Sequence, residues 1–214
     1  TGLRGSQMAF IGAWGVSYLM QVYGLKRTEA ASFMLLTSLG RIVGFPLLGA
    51  IADRIGDARY PYILGNLTYL ALWFCFIIFF RIQPPQIFLI ILYFLLGVLG
   101  ATSVLSFVLV KQYTPLQSTG IALGLVNGIG IFGTTLFQLA IGFVLDQYWD
   151  GIMIDGVRIY STTAYQAAFR VFFIMLVCTT LPVLFIKDEG VKVKEHLLKR
   201  NLPHEKSGSS TTHF

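Results

Sequence analysis

The sequence predicts an all-α membrane protein that crosses the bilayer six times. Of its 214 residues, 55% are hydrophobic and 12% are charged, whereas a soluble domain carries about 25% charged residues. The mean hydropathy is +0.71. The apolar residues fall into six runs, and each is close to the ~20 residues that an α-helix needs to cross ~30 Å of hydrocarbon. Together these observations indicate a polytopic membrane protein.

The predicted spans are separated by short polar segments and lie at about Gln7–Leu25, Glu29–Ala52, Pro61–Phe80, Pro85–Val110, Gly120–Leu145 and Tyr165–Ile186. Residues 1–186 therefore form one six-helix transmembrane domain, and residues 187–214 form a basic, polar tail. With both termini inside, the inner segments hold ten Lys and Arg residues, including Arg4 and six in the tail, against four outside. This asymmetry favours a cytoplasmic tail. Without the tail the two sides are equal.

The remaining composition is interpreted in the same membrane context. The net charge of +6 is interpreted as loop charge that sets orientation, so nucleic acid is not expected as a partner. Cys75 and Cys178 lie inside apolar runs, where small apolar side chains are more common than disulfides or metal ligands. The three histidines are scattered along the tail. No metal or cofactor is therefore expected.

Spans three and six are expected at the periphery of the helix bundle because they are almost wholly apolar. Span three has Asn66 and Thr68 as its polar exceptions, and span six has Arg170. Arg170 is close enough to the outer end of its span for the guanidinium to reach the lipid headgroups. The other four spans carry polar or small residues at helical spacing and are expected to form the interior.

Polar side chains in the interior spans predict a substrate pathway. In span one, three residues at i, i+4 and i+7 share one helix face, and spans four and five add polar faces of their own. We interpret these faces as the lining of one wet cavity. Hydrogen bonding between helices without a cavity is the alternative. The residues assigned to the pathway are Trp14, Tyr18, Gln21, Ser103, Asn127 and Gln138.

Span five also carries a glycine pattern. Gly120, Gly124 and Gly128 form a doubled Gly-x-x-x-Gly repeat. Because glycine has no Cβ, two helices can approach closely in lipid along such a face. We therefore predict that this face packs against another helix.

Arg41 is the residue that points most directly to a ligand. It lies near the middle of span two, about 18 Å from Asp53 along the helix, and no Asp or Glu lies at a comparable depth. A guanidinium at this depth costs about 2.5 to 3.5 kcal/mol on insertion scales. We expect it to face the interior and to meet an anionic substrate or a carboxylate of another six-helix unit. The alternative is a structural arginine held by backbone carbonyls and by Gln or Ser side chains.

A proline follows Arg41 in the same span. Pro46 removes a helix hydrogen bond, so a kink is expected just beyond the arginine. Kinked helices beside a charge at the membrane midplane are typical of alternating-access transporters. A bend that only improves helix packing is the other interpretation.

The loop after span two resembles the Gly-x-x-x-Asp-Arg-x-Gly motif of the major facilitator superfamily. Asp57 and Ala58 depart from the more basic end of the first-half copy, and with the polar tail this makes the chain similar to a second half. The stretch from Gly120 to Asn127 is similar to the fifth helix of second halves in bacterial members. The motif residues here are Gly49, Asp53, Arg54 and Gly56, with Arg59 as the trailing basic residue.

This resemblance implies half of a twelve-helix fold built as a 3+3 inverted repeat. It also implies secondary active transport by alternating access, in a bacterial inner membrane, with a second six-helix half most simply in the same polypeptide. Helices one, two, four and five would line the cavity. The motif residues Gly49 to Arg59 would form a conformational latch at the cytoplasmic face, where Asp53 pairs with a helix end and basic groups of the opposite half.

Several functional classes follow from these features. Arg41 with Trp14, Tyr18 and Gln21 suggests a small organic anion, either a carboxylate or a phosphate ester. Because no carboxylate lies at the midplane, a proton site would come from the other half. An enzyme is not expected, since the sequence lacks a grouped nucleophile, base and acid. A non-transporting membrane sensor or assembly subunit is the alternative, and a homodimer of halves is a third case.

Overall fold

The chain forms a bundle of six long helices. The computed structural model describes residues 2–80 and 85–186, so the predicted tail at 187–214 lies outside the described residues. The helices are residues 2–23, Arg27–Ile55, Arg59–Phe80, Gln86–Tyr113, Thr119–Gln147 and Thr162–Phe185. Five helices in the described part are continuous, long and apolar enough to cross a membrane. The predicted all-α, multi-span architecture is confirmed.

Three helices contain turns that are not α-helical. The first helix runs through Gly2–Ala9, a π-helical segment Phe10–Trp14, and Gly15–Tyr23. The fourth helix contains a 3₁₀ segment at Ala101–Val104, and the sixth ends in another at Leu181–Phe185. By contrast, the second helix runs without interruption through Pro46. The irregular backbone therefore lies in the first, fourth and sixth helices, whereas the sequence pointed to the second.

The largest error in the predicted boundaries concerns the first helix. It begins at Gly2, not near Gln7, because Gly2 and Gly5 are buried against neighbouring helices and continue the packed surface. Arg4, counted above as a loop charge, therefore lies inside this helix. Without Arg4 the charge asymmetry between the two ends becomes smaller. Arg59 likewise belongs to the third helix.

The second and fourth helices are in backbone contact through glycines. A Cβ at Gly40 would collide with the Phe94 carbonyl oxygen, and one at Gly97 would collide with the Thr37 carbonyl oxygen. At Gly44 a Cβ would lie 2.5 Å from the Val98 carbonyl oxygen. Close packing in this chain therefore depends on these three glycines.

The predicted packing glycines of the fifth helix behave differently. Nothing in the described residues lies within 4 Å of a Cβ placed at Gly120, Gly124 or Gly128. Within this chain the prediction of a close helix contact there is wrong. These glycines instead lie on an open face of the bundle.

An aromatic cluster fills the centre of the bundle between the first, third, fourth and sixth helices. Trp73 is fully buried, with its ring centroid 5.0 Å from that of Phe10 and 4.4 Å from that of Phe172. The third helix buries this stripe and exposes the opposite face, including Phe74 and Ile78. The third helix is thus peripheral on one face only, since its tryptophan is part of the core.

A β-hairpin links the fifth and sixth helices. Its strands, Met153–Ile154 and Val157–Arg158, are antiparallel, and Ile154 pairs with Val157. Asp155 and Gly156 between them have φ values of +51° and +77°, as a two-residue turn with both central residues left-handed requires. We call this side of the bundle the hairpin end and the side with Gly49–Arg59 the motif end.

The glycine contact between the second and fourth helices gives a stability prediction. Gly40→Ala should lower the thermal unfolding temperature in detergent, because overpacking costs about 1–3 kcal/mol. Gly49→Ala, in the same helix with open space around the Cβ position, should leave it equal or slightly higher, since alanine is about 1 kcal/mol better than glycine in a helix. Equal unfolding temperatures for both variants would contradict the proposed backbone contact.

Candidate functional site

Two arginines from different helices come together in the interior of the bundle. Arg4 of the first helix and Arg41 of the second are each half-buried, and their positive charges are close enough to repel each other. Arg41 is 14 residues from either end of its helix, about 21 Å along the axis. Each guanidinium therefore lies well away from the loops that carry the acidic residues.

Arg4 is held in place by two neighbouring helices. Its Nη1 donates a hydrogen bond to Asn127 Oδ1 of the fifth helix at 2.6 Å. Its guanidinium carbon lies 5.5 Å from the ring centroid of Phe107 in the fourth helix, within the range of a cation–π contact. Arg4 is thus positioned before any ligand binds.

Arg41 is less completely satisfied. Its Nε is buried and has no hydrogen-bond partner in the structure. Its guanidinium carbon lies 5.5 Å from the ring centroid of Phe45, one helical turn further along the same helix. A buried donor without an acceptor is costly, and more so on a charged group. Arg41 therefore lacks an acceptor that an anion could supply.

No carboxylate of the described residues neutralises this pair of arginines. Every Asp and Glu there lies in a loop or near a helix end: Glu29, Asp53, Asp57, Asp146, Asp150 and Asp155. The ion pair in the described part of the chain joins Asp146 and Arg158 at the hairpin end, with 2.7 Å between Oδ1 and Nη1. The site thus keeps two positive charges in the bundle interior.

The predicted shared face of the first helix does not form. Tyr18 is 1% exposed and packs edge-to-face against Tyr165 and Phe169 in the aromatic core. The π-helical segment at Phe10–Trp14 shifts the register between Trp14 and the upstream turns. The prediction that Tyr18 lines the pathway is therefore corrected, because its ring belongs to the core.

Trp14 and Gln21 lie at separate helix contacts. Trp14 packs on the fifth helix, where a Cβ at Gly142 would come within 3.2 Å of the indole, and its Nε1 is buried without a partner. Gln21 holds the hairpin end together. Its Nε2 donates to the Arg158 carbonyl at 3.2 Å, and its Oε1 accepts from Tyr160 N at 3.0 Å and from the Tyr165 hydroxyl at 3.1 Å.

The other predicted pathway residues lie on the fourth and fifth helices. Ser103 is buried in the 3₁₀ segment of the fourth helix, where its carbonyl accepts a hydrogen bond from the Ser106 hydroxyl at 2.7 Å. Gln138 is half-buried, and its Nε2 faces Gly12 of the first helix. The structure therefore brings Asn127 together with the arginine pair, and places Ser103 and Gln138 at neighbouring helix contacts.

A cavity of about 870 Å³ opens at the hairpin end. The first helix contributes Ser17 and Gln21 to its lining, the start of the second contributes Arg27, and the hairpin contributes Asp155. Hydrogen bonding to Asp146 raises the pKa of the Arg158 guanidinium above its ordinary value, so Arg158 stays charged beside the hairpin. The predicted outer loop is therefore a fixed wall of a cavity.

The motif residues at the opposite end are accessible. Asp53 and Arg54 are exposed in the last turn of the second helix, and Gly56 ends that helix with φ +73° and an N–H that donates to the Ala52 carbonyl at 3.0 Å. Gly49 has open space around it. The Arg59 guanidinium carbon lies 5.5 Å from the Tyr60 ring centroid.

The open face of the fifth helix forms a shallow apolar groove of about 530 Å³. Gly124 and Gly128 form its floor, and large exposed side chains form its walls: Ile121, Leu125, Ile129 and Phe132. A glycine floor between apolar walls is a surface that a second helix can approach closely.

Comparison with known proteins places this architecture in a family. Residues 3–212 match the family model described as the Major Facilitator Superfamily. The chain belongs to this superfamily. Among the relatives of this superfamily member is the cis,cis-muconate transport protein of Acinetobacter baylyi (strain ATCC 33305 / BD413 / ADP1), with 26% identity over 180 residues. That match covers 82% of the present chain and 38% of the relative, so the chain spans well under half of the relative's length.

Arg4 is the site residue that the sequence analysis missed. The signal was present, because Leu3, Gln7, Phe10 and Trp14 continue the 3–4 residue spacing of a packed helix face upstream of the predicted start. The reading failed because a charged residue near a predicted span end is normally a loop charge.

The contacts of Gln21 give a prediction about the hairpin. Gln21→Leu removes the acceptor for the Tyr160 backbone N–H, so exchange of that amide should accelerate about fivefold or more, since a hydrogen bond contributes about 1 kcal/mol. Hydrogen exchange with mass spectrometry measures this change. Gln138→Leu, which alters a glutamine on the fifth helix, should leave the Tyr160 amide unchanged. Unchanged exchange in Gln21→Leu would show that the hairpin is held by other contacts.

Proposed function

We propose that this chain forms one half of a secondary transporter that moves a small organic anion across the membrane by alternating access. The observation that carries the proposal is Arg41. Its guanidinium lies at the centre of a membrane-spanning helix, with a buried Nε that has no acceptor. An anionic substrate supplies both the missing acceptor and the missing negative charge.

Two further observations support an organic anion. Arg4 adds a second positive charge near Arg41, and the described acidic residues lie at the ends of helices or in loops. A relative of this chain carries the name cis,cis-muconate transport protein, and muconate is an organic carboxylate. The charge of the site and the chemistry of that named substrate agree.

The proposal includes a second six-helix half, in the same polypeptide. The chain matches 38% of its longer relative, and its fifth helix presents the glycine groove of Gly124 and Gly128 without a neighbour among the described residues. A helix of the second half would fill that groove and complete the wall of the substrate pathway. Because no carboxylate lies beside Arg41, a proton-coupling group would come from this second half.

The motif residues Gly49, Asp53, Arg54, Gly56 and Arg59 are proposed to act as the conformational latch at the cytoplasmic face of a bacterial inner membrane. Asp53 and Arg54 are exposed and available to a partner surface. Their distance from Arg41 along the helix, about 18 Å, separates the latch from the substrate site. The tail at 187–214 is proposed to lie on the same face.

Uptake of labelled cis,cis-muconate into proteoliposomes that contain the complete encoded polypeptide tests this function. Arg41→Gln should reduce uptake at least about 30-fold, because truncating one partner of a buried charge pair costs about 2–5 kcal/mol. Arg170→Gln, on an exposed position of the sixth helix, should transport normally. Equal insertion of both variants is confirmed by quantifying reconstituted protein. Normal uptake by Arg41→Gln would remove Arg41 from the substrate site.

The latch gives a different kinetic expectation. Asp53→Asn should slow uptake about tenfold while muconate affinity stays within about twofold, because it alters the balance between conformations and leaves the site intact. Asp57→Asn is the matched control, since the Asp57 carboxylate already accepts a hydrogen bond from Arg59 N at 2.8 Å within the loop. Its uptake should stay close to that of the unsubstituted protein. Loss of affinity in Asp53→Asn would place Asp53 in the substrate site.

A further inference from the structure

The arginine pair carries more information than one anion requires. One carboxylate is enough to neutralise Arg41, but Arg4 brings a second full charge into the same region, where the two cations repel each other. A monoanion would leave one of these charges uncompensated at membrane depth, which is unfavourable. A ligand with two negative charges would balance both.

The way each guanidinium is held favours two separate carboxylate contacts. Arg4 lies against Phe107, and Arg41 lies against Phe45, in each case with 5.5 Å between the guanidinium carbon and the ring centroid. A contact through the face of a guanidinium leaves its edge, which carries the N–H donors, free for a carboxylate. Each arginine can therefore bind a carboxylate group while keeping its aromatic neighbour.

The two arginines are not equivalent. Arg4 is fixed by the hydrogen bond from its Nη1 to Asn127, whereas the Nε of Arg41 has no partner. A fixed cation sets where the second negative charge of a ligand must lie. Arg4 is thus suited to select among anions, and Arg41 to bind the carboxylate that all of them share.

We propose that Arg4 is a specificity-determining residue that makes the site selective for dicarboxylates, with one carboxylate on Arg4 and the other on Arg41. This rests on the proposed transport of organic anions and adds the number of charges on the substrate. The aromatic rings of Phe45 and Phe107 lie beside the two charges. They favour a ligand whose carbon skeleton between the carboxylates is apolar.

A matched pair of compounds tests this inference. Cis,cis-muconate and its monomethyl ester share one carbon skeleton and differ in whether the second carboxylate is charged. In proteoliposomes containing the complete polypeptide, the apparent affinity for muconate should exceed that for the monoester by about tenfold or more. Arg4→Gln should reduce this preference to near unity by weakening muconate uptake and leaving monoester uptake nearly unchanged.

Two further variants make the test independent of folding. Arg4→Lys keeps the charge and should retain most of the preference, so its behaviour separates lost charge from a disturbed first helix. Asn127→Ala frees Arg4 and should lower the preference only in part. Size-exclusion profiles in detergent establish that each variant remains monodisperse.

The outcomes are distinct. Equal affinity of the unsubstituted protein for the two compounds, or an undiminished preference in Arg4→Gln, would overturn the dicarboxylate assignment while leaving organic-anion transport in place. Uptake of neither compound would overturn the proposed function and this inference together. A preference that depends on the charge at residue 4 supports both.

Discussion

The structure depends on a positive charge that the membrane interior does not tolerate alone. Arg41 lies at the centre of its helix and has a buried Nε without an acceptor, and Arg4 adds a like charge nearby. Removing such a group from water costs several kcal/mol unless it is paired. The described chain holds its carboxylates at the ends of the helices, so the compensating charge has to come from outside these residues.

The packing of the bundle places the two arginines together. Gly40 and Gly44 allow the backbone of the second helix to contact that of the fourth, which fixes the helix carrying Arg41. On the other side, a Cβ at Gly5 would lie 3.0 Å from the Gly133 carbonyl carbon, so the first helix lies directly against the fifth beside Arg4 and Asn127. Glycine contacts on two pairs of helices thus determine the geometry of one charged site, because no side chain separates the backbones.

The sequence predicted the parts of this protein that depend on local composition. Hydropathy located the spans, and the depth of Arg41 in an apolar helix identified it without structural information. Features that depend on which surfaces meet were beyond it. The repeat at Gly120–Gly128 is a more regular glycine pattern than Gly40, Gly44 and Gly97, yet only the latter set packs within the chain. Tyr18 was misplaced because a π-helical segment shifts the helical register, which periodicity assumes to be constant.

Two further differences have local explanations. The Asp155-Gly156 turn carries a hairpin signal, but the surrounding acidic residues indicated only a solvated loop. Arg4 was assigned to a loop because its helix starts upstream of the purely apolar run.

The central claim is that an anion completes the arginine pair, and a cryo-electron microscopy structure of the complete polypeptide with cis,cis-muconate tests it most directly. The account predicts ligand density with a carboxylate oxygen at hydrogen-bond distance, about 2.7–2.9 Å, from the Arg41 guanidinium. The second carboxylate should lie beside Arg4. Density for the anion elsewhere, with Arg41 paired to backbone carbonyls or to a carboxylate of the second half, would contradict the claim.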